Sequence, residues 1–487
     1  MPEVLLGPAF RHALFVFIFL FWILLFGYFA GSIRFQETFV DTVNPWTEYG
    51  VLATCFNVVL RLMAFLAVPQ TLFNFMGFIK YPSFPEKIVL KSSPLLAPFV
   101  CVRVVTRGLY PNLVKETVRR NLETLSNVGV ENYVVQVVTD IKINLNETKR
   151  LQEILVPSSY TTKSGALNKS RALQYCLEDD VNILGDDDWI IHLDEETLLT
   201  ESSVKGILNF INEGKHDFGQ GLITYASTPV HFRSWWKSFQ NRICTVADSF
   251  RVADDLGKIR FQFKTFHAPI FGWKGSYVVT KLGAERKITF DNGPEGSKAE
   301  DAFFAMLAMD AGLTFDFIEG EMHEKSPFTF SDFFKQRKRW MQGIYMVVAS
   351  PLITWATKGL LAMSLVSWLT LPLSTLANLV LVNYYPFSMG VVLDFLLGLV
   401  GAIGFFMYGF GYVRQHPIQR YSWIRLLLVV PEIVISSGVS IIAENCAVCT
   451  MWVGDWYDFY IVDKELEEFE EIEESQVKPQ GRLIETV

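Results

Sequence analysis

The sequence predicts an α/β domain with a mostly parallel sheet, carried between helices of membrane-spanning character. Three observations lead there. Apolar runs crowd the two ends of the 487-residue chain, half of which is hydrophobic. Residues 80–345 have the mixed composition of a folded domain, long enough to bury a core of their own. Within them, short β-branched runs alternate with helical stretches, the pattern of a parallel sheet covered on both faces.

The first apolar run, 13–33, is uncharged and long enough to span. It lacks a small-residue cleavage site and reads as a retained anchor. A second covers 56–79, with Arg61 near enough to one end to snorkel outward. Three more follow the central domain, at 359–383, 387–412 and 424–450. Pro431 and Gly438 would also let the last re-enter as a hairpin. The connection 412–425 carries Arg414, Arg420 and Arg425, which places it in the cytosol by the excess of positive charge. Counting back puts the central domain and the N-terminus there too. Counting forward puts the tail on the other face.

The expected division is therefore an N-terminal membrane region with two transmembrane helices (1–80) and a central domain ending in an amphipathic interfacial helix (81–345). A C-terminal membrane region with about three helices (346–455) and an acidic tail (456–487) follow. The net charge of −8 misleads, because 463–475 alone holds eight acidic residues and one lysine. The remainder is nearly neutral, which argues against a nucleic-acid partner. Six cysteines are too few and too scattered for a disulfide framework. Cys446 and Cys449, about one turn apart, read as small residues of a membrane helix. Asp394, Glu432 and Glu444 stand in apolar surroundings, where a carboxylate is costly. They read as interhelical hydrogen-bonding or interfacial groups, with contact to an ion or polar acceptor as the functional alternative.

In the central domain, strands are expected at 99–105, 133–138 and 189–193, with helices near 112–127, 165–178 and 202–212. Ligands of such sheets bind outside the carboxyl ends of the strands. Asp140 and Asp194 stand at two of those ends. Asp140 would accept hydrogen bonds from a base or ribose. In the stretch 163–168, Lys163 would neutralise phosphate and Gly165 would allow close backbone approach. Asp194 and Glu196, at i and i+2 in extended chain, point the same way and would share a hard divalent cation, Mg²⁺ or Mn²⁺. Glu300-Asp301 opens a helical stretch, where an acidic pair is commonly a cap. In this order Asp301 is a candidate general base.

Ahead of the last apolar runs lies Gln336-Arg337-Lys338-Arg339-Trp340. Arg339 would pair with a diphosphate and Trp340 would stack on a sugar. The same residues suit an interfacial helix with snorkelling cations. Trp273 and Gly275, in the segment 272–276, read as an ordinary strand and turn, with an acceptor-side loop as the functional alternative. His323 is a candidate extra metal ligand. The aromatic run 231–236 reads as core packing, with contact to lipid or substrate as the alternative.

Taken together, these clusters resemble the motifs of the inverting family 2 glycosyltransferases, the group of the cellulose, chitin and hyaluronan synthases. The resemblance covers about 98–345 and the flanking membrane arrangement. It implies a GT-A, Rossmann-like cytosolic catalytic domain inserted between transmembrane helices. It also implies donor contacts at Asp140, Lys163, Gly165, Asp194, Gln336 and Arg339, metal at Asp194 and Glu196, and catalysis by Asp301 with Glu300. Two positions depart from the pattern: Glu196 replaces an aspartate and Ala299 a threonine. No counterpart of the synthases' gating loop is evident beyond Trp340, which speaks against long-chain synthesis. Over its whole length the chain is similar to invertebrate β-1,4-mannosyltransferases. That similarity implies a GDP-mannose donor, a glucosylceramide acceptor, and residence among the membrane lipids of the ER or Golgi. A different β-linked glycolipid or a short polysaccharide is the alternative product. A membrane transporter is the alternative of another class.

Overall fold

The computed structural model describes residues 7–29, 43–84, 87–226, 232–416, 418 and 421–462. The acidic run 463–475, Arg420 and His231 lie outside the described residues. Seven strands form one sheet: β1 (Val100–Thr106), β2 (Tyr133–Thr139), β3 (Leu151–Leu155), β4 (Trp189–Asp194), β5 (Phe218–Thr224), β6 (Val278–Lys281) and β7 (Phe315–His323), in the order β3-β2-β1-β4-β6-β5-β7. β1 and β2 are valine-rich and buried along almost their whole length, as parallel strands covered on both faces are. β1 runs parallel to β2 and β4, and β2 parallel to β3. The expected parallel sheet is correct for these four strands. The other half is mixed, because β6 runs antiparallel to both β4 and β5 while β5 and β7 are parallel.

Glycines conceal β5 in the sequence. A methyl on Gly221 would run into the Tyr277 ring, so close packing there excludes the side chains that advertise a strand. The helix expected from 165 begins at Asn168, because Gly165 takes a left-handed φ of +78° in the turn before it.

Among the described residues four helices, Pro8–Phe29, Val51–Lys80, Val391–Gln415 and Trp423–Thr450, are long and apolar enough to cross a membrane. A further pair, Trp355–Leu369 and Leu371–Tyr384, is bent by 55° at its junction. Their core is continuous with that of the sheet: Phe15 and Phe19 pack on Phe78, Phe406 and Phe410. The helix Val51–Lys80 is joined tightly to the α/β domain. A methyl at Gly77 would collide with the carbonyl of Gly257, so the two backbones touch. Beside them Asn74 donates to Asp254 (3.0 Å) and accepts from the amide of Lys258 (2.8 Å).

The carboxylates in apolar surroundings are taken up structurally. Asp394 accepts from Ser388 (2.6 Å) and the amide of Met389 at a helix start. Glu432 pairs with Arg242 (2.9 Å) and Arg425 (2.7 Å), and Glu444 stands 3.6 Å from Arg337. Trp235 and Trp236, expected in the core, are 76% and 48% exposed.

The helix Trp423–Thr450 stays unbroken through Pro431 and Gly438. It lies along two helices of the α/β domain, Trp235–Ala247 and Phe330–Ala349. Glu432 meets Arg242, Ala443 packs on Cys244, Ala247 and Phe333, and the carbonyl of Met451 accepts from Gln342 (2.7 Å). The residues after it return to the domain, where expectation sent the chain to the opposite face: Trp456 and Tyr460 accept from Lys298 and Arg339.

Candidate active site

One cavity of about 400 Å³ opens at the carboxyl ends of β1, β2 and β4. Strand order spaces its wall. Asp140 follows β2, Thr106 ends β1 and Asp194 ends β4, so the two aspartates lie two strands apart, about 10 Å. Asp140 forms an ion pair with Arg171 on the helix Asn168–Tyr175. Asp194, Glu195 and Glu196 all line the cavity, and Glu195 accepts from the Thr106 hydroxyl.

Opposite them, the helix Glu300–Asp310 places Glu300 and Asp301 in its first turn. Burial, then repulsion from Glu300, raises the Asp301 carboxyl to about 7. A carboxyl poised there can hold or release a proton near neutrality. Gly275 lies against both acids: a Cβ there would stand 3.1 Å from Asp301 and 3.4 Å from Glu300. Trp273 lines the cavity, but its ring is packed among Phe218, Phe304 and Phe315, and its Nε1 donates to the Asp301 carbonyl (2.7 Å). It therefore braces the acid instead of presenting a free ring to a sugar.

The cationic side differs from expectation. Lys163 and Gly165 are exposed and outside the cavity wall. The lysine that enters is Lys169, six residues after Lys163. Its Nζ donates to Asp194 (2.5 Å) and to the carbonyl of Gly275 (2.8 Å), and stands 3.5 Å from Glu300. Burial opposes its charge, but Asp194 and Glu300 hold it ammonium well above the ordinary lysine range. Lys169 stands second in the helix Asn168–Tyr175, where a lysine is ordinarily solvated. Its lone signal was the strand-end acid that a buried lysine must accompany.

In the helix Phe330–Ala349, Gln336, Arg339 and Trp340 line the cavity. Arg337 is not a surface charge: it is buried and paired with buried Asp248 (2.7 Å). Its guanidinium and that of Arg251 lie 4.5 and 4.7 Å from the Trp340 ring centre, so this ring is already engaged by two cations. Burial lowers the Arg339 pKa, against the pull of Glu300 and Asp194. Arg339 donates to the carbonyl of Tyr460 (3.0 Å) and lies over Phe459. Phe459, Ile461 and Val462 close this side of the cavity. A segment that follows the last apolar helix thus reaches the site.

Lys298, lowered by burial to about 8, donates to Gln342 (2.7 Å) and to the carbonyl of Trp456 (2.8 Å). His323 is outside the cavity wall; its neighbour Glu324 lines it and accepts from Thr197 (2.9 Å). Among the described residues no three His, Cys, Asp or Glu side chains cluster closely enough to hold a metal ion. Asp194 and Glu196 nevertheless offer the one or two carboxylates with which Mg²⁺ is ordinarily held when substrate phosphates complete its shell. The residues present fit such an ion.

Residues 189–411 match the glycosyl transferase family group 2 profile. The β-1,4-mannosyltransferase egh of Drosophila melanogaster is 51% identical over 462 residues, 95% of this chain and 99% of that protein. The β-1,4-mannosyltransferases bre-3 of Caenorhabditis briggsae and Caenorhabditis elegans are 50% and 49% identical, each over 94% of this chain and 98% of theirs. Among solved structures, S. aureus TarS is similar at a TM-score of 0.31 and 14% identity, over 54% of this chain and 42% of that chain, which adds nothing further. Near-full-length identity, together with the acids gathered at the strand ends, means that this chain belongs to the family 2 glycosyltransferases and has their GT-A-like fold.

Proposed function

We propose that the protein is a membrane-bound β-1,4-mannosyltransferase that moves mannose from GDP-mannose to glucosylceramide, with inversion, to form mannosyl-β-1,4-glucosylceramide. Kinship with egh and bre-3 supports the sugar and the linkage. The observation that carries the chemistry is the shared cavity, in which Asp301, Asp194 and Arg339 meet.

Asp140 takes the nucleoside end. Gln336 and Arg339 take the diphosphate, where a fixed cation stabilises charge developing on the leaving group. Asp194 and Glu196 would hold Mg²⁺ or Mn²⁺ against that diphosphate, and the bound ion would supply further neutralisation of the leaving group. Asp301 accepts the proton of the acceptor hydroxyl as its oxygen attacks the anomeric carbon. Attack from the face opposite the departing diphosphate turns an α-linked donor into a β-glycoside, so one base suffices. Glu300 keeps Asp301 basic by repulsion, and Gly275 leaves room for the acceptor beside both acids. The α/β domain faces the cytosol in ER or Golgi membranes, with the helices Pro8–Phe29 and Val51–Lys80 before it and the apolar pair and Val391–Gln415 after it.

The deciding experiment incubates purified protein with labelled GDP-mannose, UDP-glucose and UDP-N-acetylglucosamine, each with glucosylceramide. Labelled lipid from GDP-mannose alone, cleaved by a β-mannosidase, is expected. Preference for a uridine donor overturns the donor assignment.

A further inference from the structure

Trp368 belongs to the apolar helix Trp355–Leu369, yet it lines the same cavity as Asp301 and Arg339. Two residues later, at Thr370, the apolar pair bends by 55° before continuing as Leu371–Tyr384. The continuation is π-helical from Leu376 to Leu381. Broken helix at membrane depth is tolerated where it is buried in protein or lines a polar cavity, and this break falls beside the site. The Trp368 ring packs at the edge of the cluster of Met341, Ala447, Val448 and Met451. Ile344, one turn beyond Trp340, lines the cavity with it. The nucleoside end, at Asp140, lies across the sheet from these groups. Of the tryptophans that line the cavity, Trp273 is packed among phenylalanines and Trp340 lies against Arg251 and Arg337, whereas Trp368, on an apolar helix, stands with Ile344 in the cavity wall.

We propose that Trp368 and Ile344 form the acceptor-lipid subsite. The glycolipid enters from the bilayer beside the bend, its first sugar against Trp368 and its apolar tail along the outer face of the bent pair. An indole face suits this task, since it can meet the C–H groups of a sugar, while the Trp368 Nε1 is itself buried. The subsite rests on the lipid-acceptor reading given above.

The test compares Trp368→Ala and Trp368→Phe with the wild type, using glucosylceramide in mixed micelles. Trp368→Ala is expected to raise KM for the lipid by roughly tenfold or more while KM for the nucleotide sugar stays within about twofold; Trp368→Phe should recover most of the loss. An unchanged lipid KM in Trp368→Ala, or an equal rise for both substrates, overturns the subsite. A second measurement is independent of turnover: a photoreactive long-chain alkyl β-glucoside, with label located by mass spectrometry. Label on the peptide bearing Trp368 is expected, and label confined to other peptides overturns the proposal. A wild-type enzyme that is labelled there but does not glycosylate glucosylceramide overturns the named acceptor and leaves the subsite standing.

Discussion

Lys169 and Asp194 form an ion pair 2.5 Å long at the floor of the cavity, and the same ammonium stands 3.5 Å from Glu300. One cation thus ties the end of β4 to the start of the helix that carries Asp301. Removing it takes away an attraction that holds the Asp301 carboxyl down. In Lys169→Met the acid limb of the kcat/KM profile should move to higher pH, and kcat at pH 7 should fall by roughly tenfold or more. Lys169→Arg should restore part of both. An unmoved limb would show that Lys169 serves folding alone.

Asp301→Asn should abolish most transfer, a loss on the order of 10²–10⁴, with nucleotide-sugar affinity nearly intact. Isothermal titration with the donor separates the two. In the wild type, kcat/KM should rise with pH through about 7, because the base acts once deprotonated.

The same carboxyl carries a stability cost. Its folded-state pKa lies above its unfolded value, so the cost is absent below about pH 4, grows as pH rises and is fully present above about 7. Asp301→Asn should therefore have a higher melting temperature than the wild type at pH 8 and match it near pH 4. Thermal unfolding of detergent-purified protein at the two pH values measures this.

Arg337 and Arg339, two residues apart, should fail differently. Arg337→Ala takes the nearer of two arginines from buried Asp248, leaving it Arg251 at 3.6 Å and the Ser326 hydroxyl, and should lower yield and melting temperature. Arg339→Ala should fold normally and lose roughly 10²–10³ in kcat. Size-exclusion profiles and single-turnover rates distinguish the two outcomes.

EDTA should stop transfer, and added Mn²⁺ or Mg²⁺ should restore it, if Asp194 and Glu196 hold an ion against the donor. Asp194→Asn should raise the Mn²⁺ concentration needed for half-maximal rate. Full activity in EDTA would assign the diphosphate to the cations of the chain alone.

The acids of the site were legible because their positions follow from strand periodicity: Asp140 and Asp194 end runs that could hardly be anything but strands. Glu300-Asp301 needed its place in the order of motifs, since an acidic pair at a helix start is ordinarily a cap. The cations were less legible. Lys163 beside Gly165 has the look of a phosphate loop, but the turn at Gly165 leaves it outside, and Lys169 enters from the next helical turn. Phe459 to Val462 adjoin an acidic run and read as tail; what brings them to the cavity is the helix Trp423–Thr450, held at both ends by the α/β domain. Tertiary contacts of that kind leave no periodic trace.

The backbone contact of Gly77 with Gly257, flanked by Asn74, has a consequence for what the enzyme can measure. A domain whose backbone touches that of a helix long and apolar enough to cross a membrane is tied to that helix. On the function proposed above, Asp301 would then keep one height above the lipid surface, and an acceptor anchored by its own tail would present a usable hydroxyl only if its headgroup were of matching length. One sugar would reach; after transfer, the new terminal sugar would lie a residue too far out. A rigid joint remote from the chemistry would thus act as a ruler, ending synthesis at a single addition.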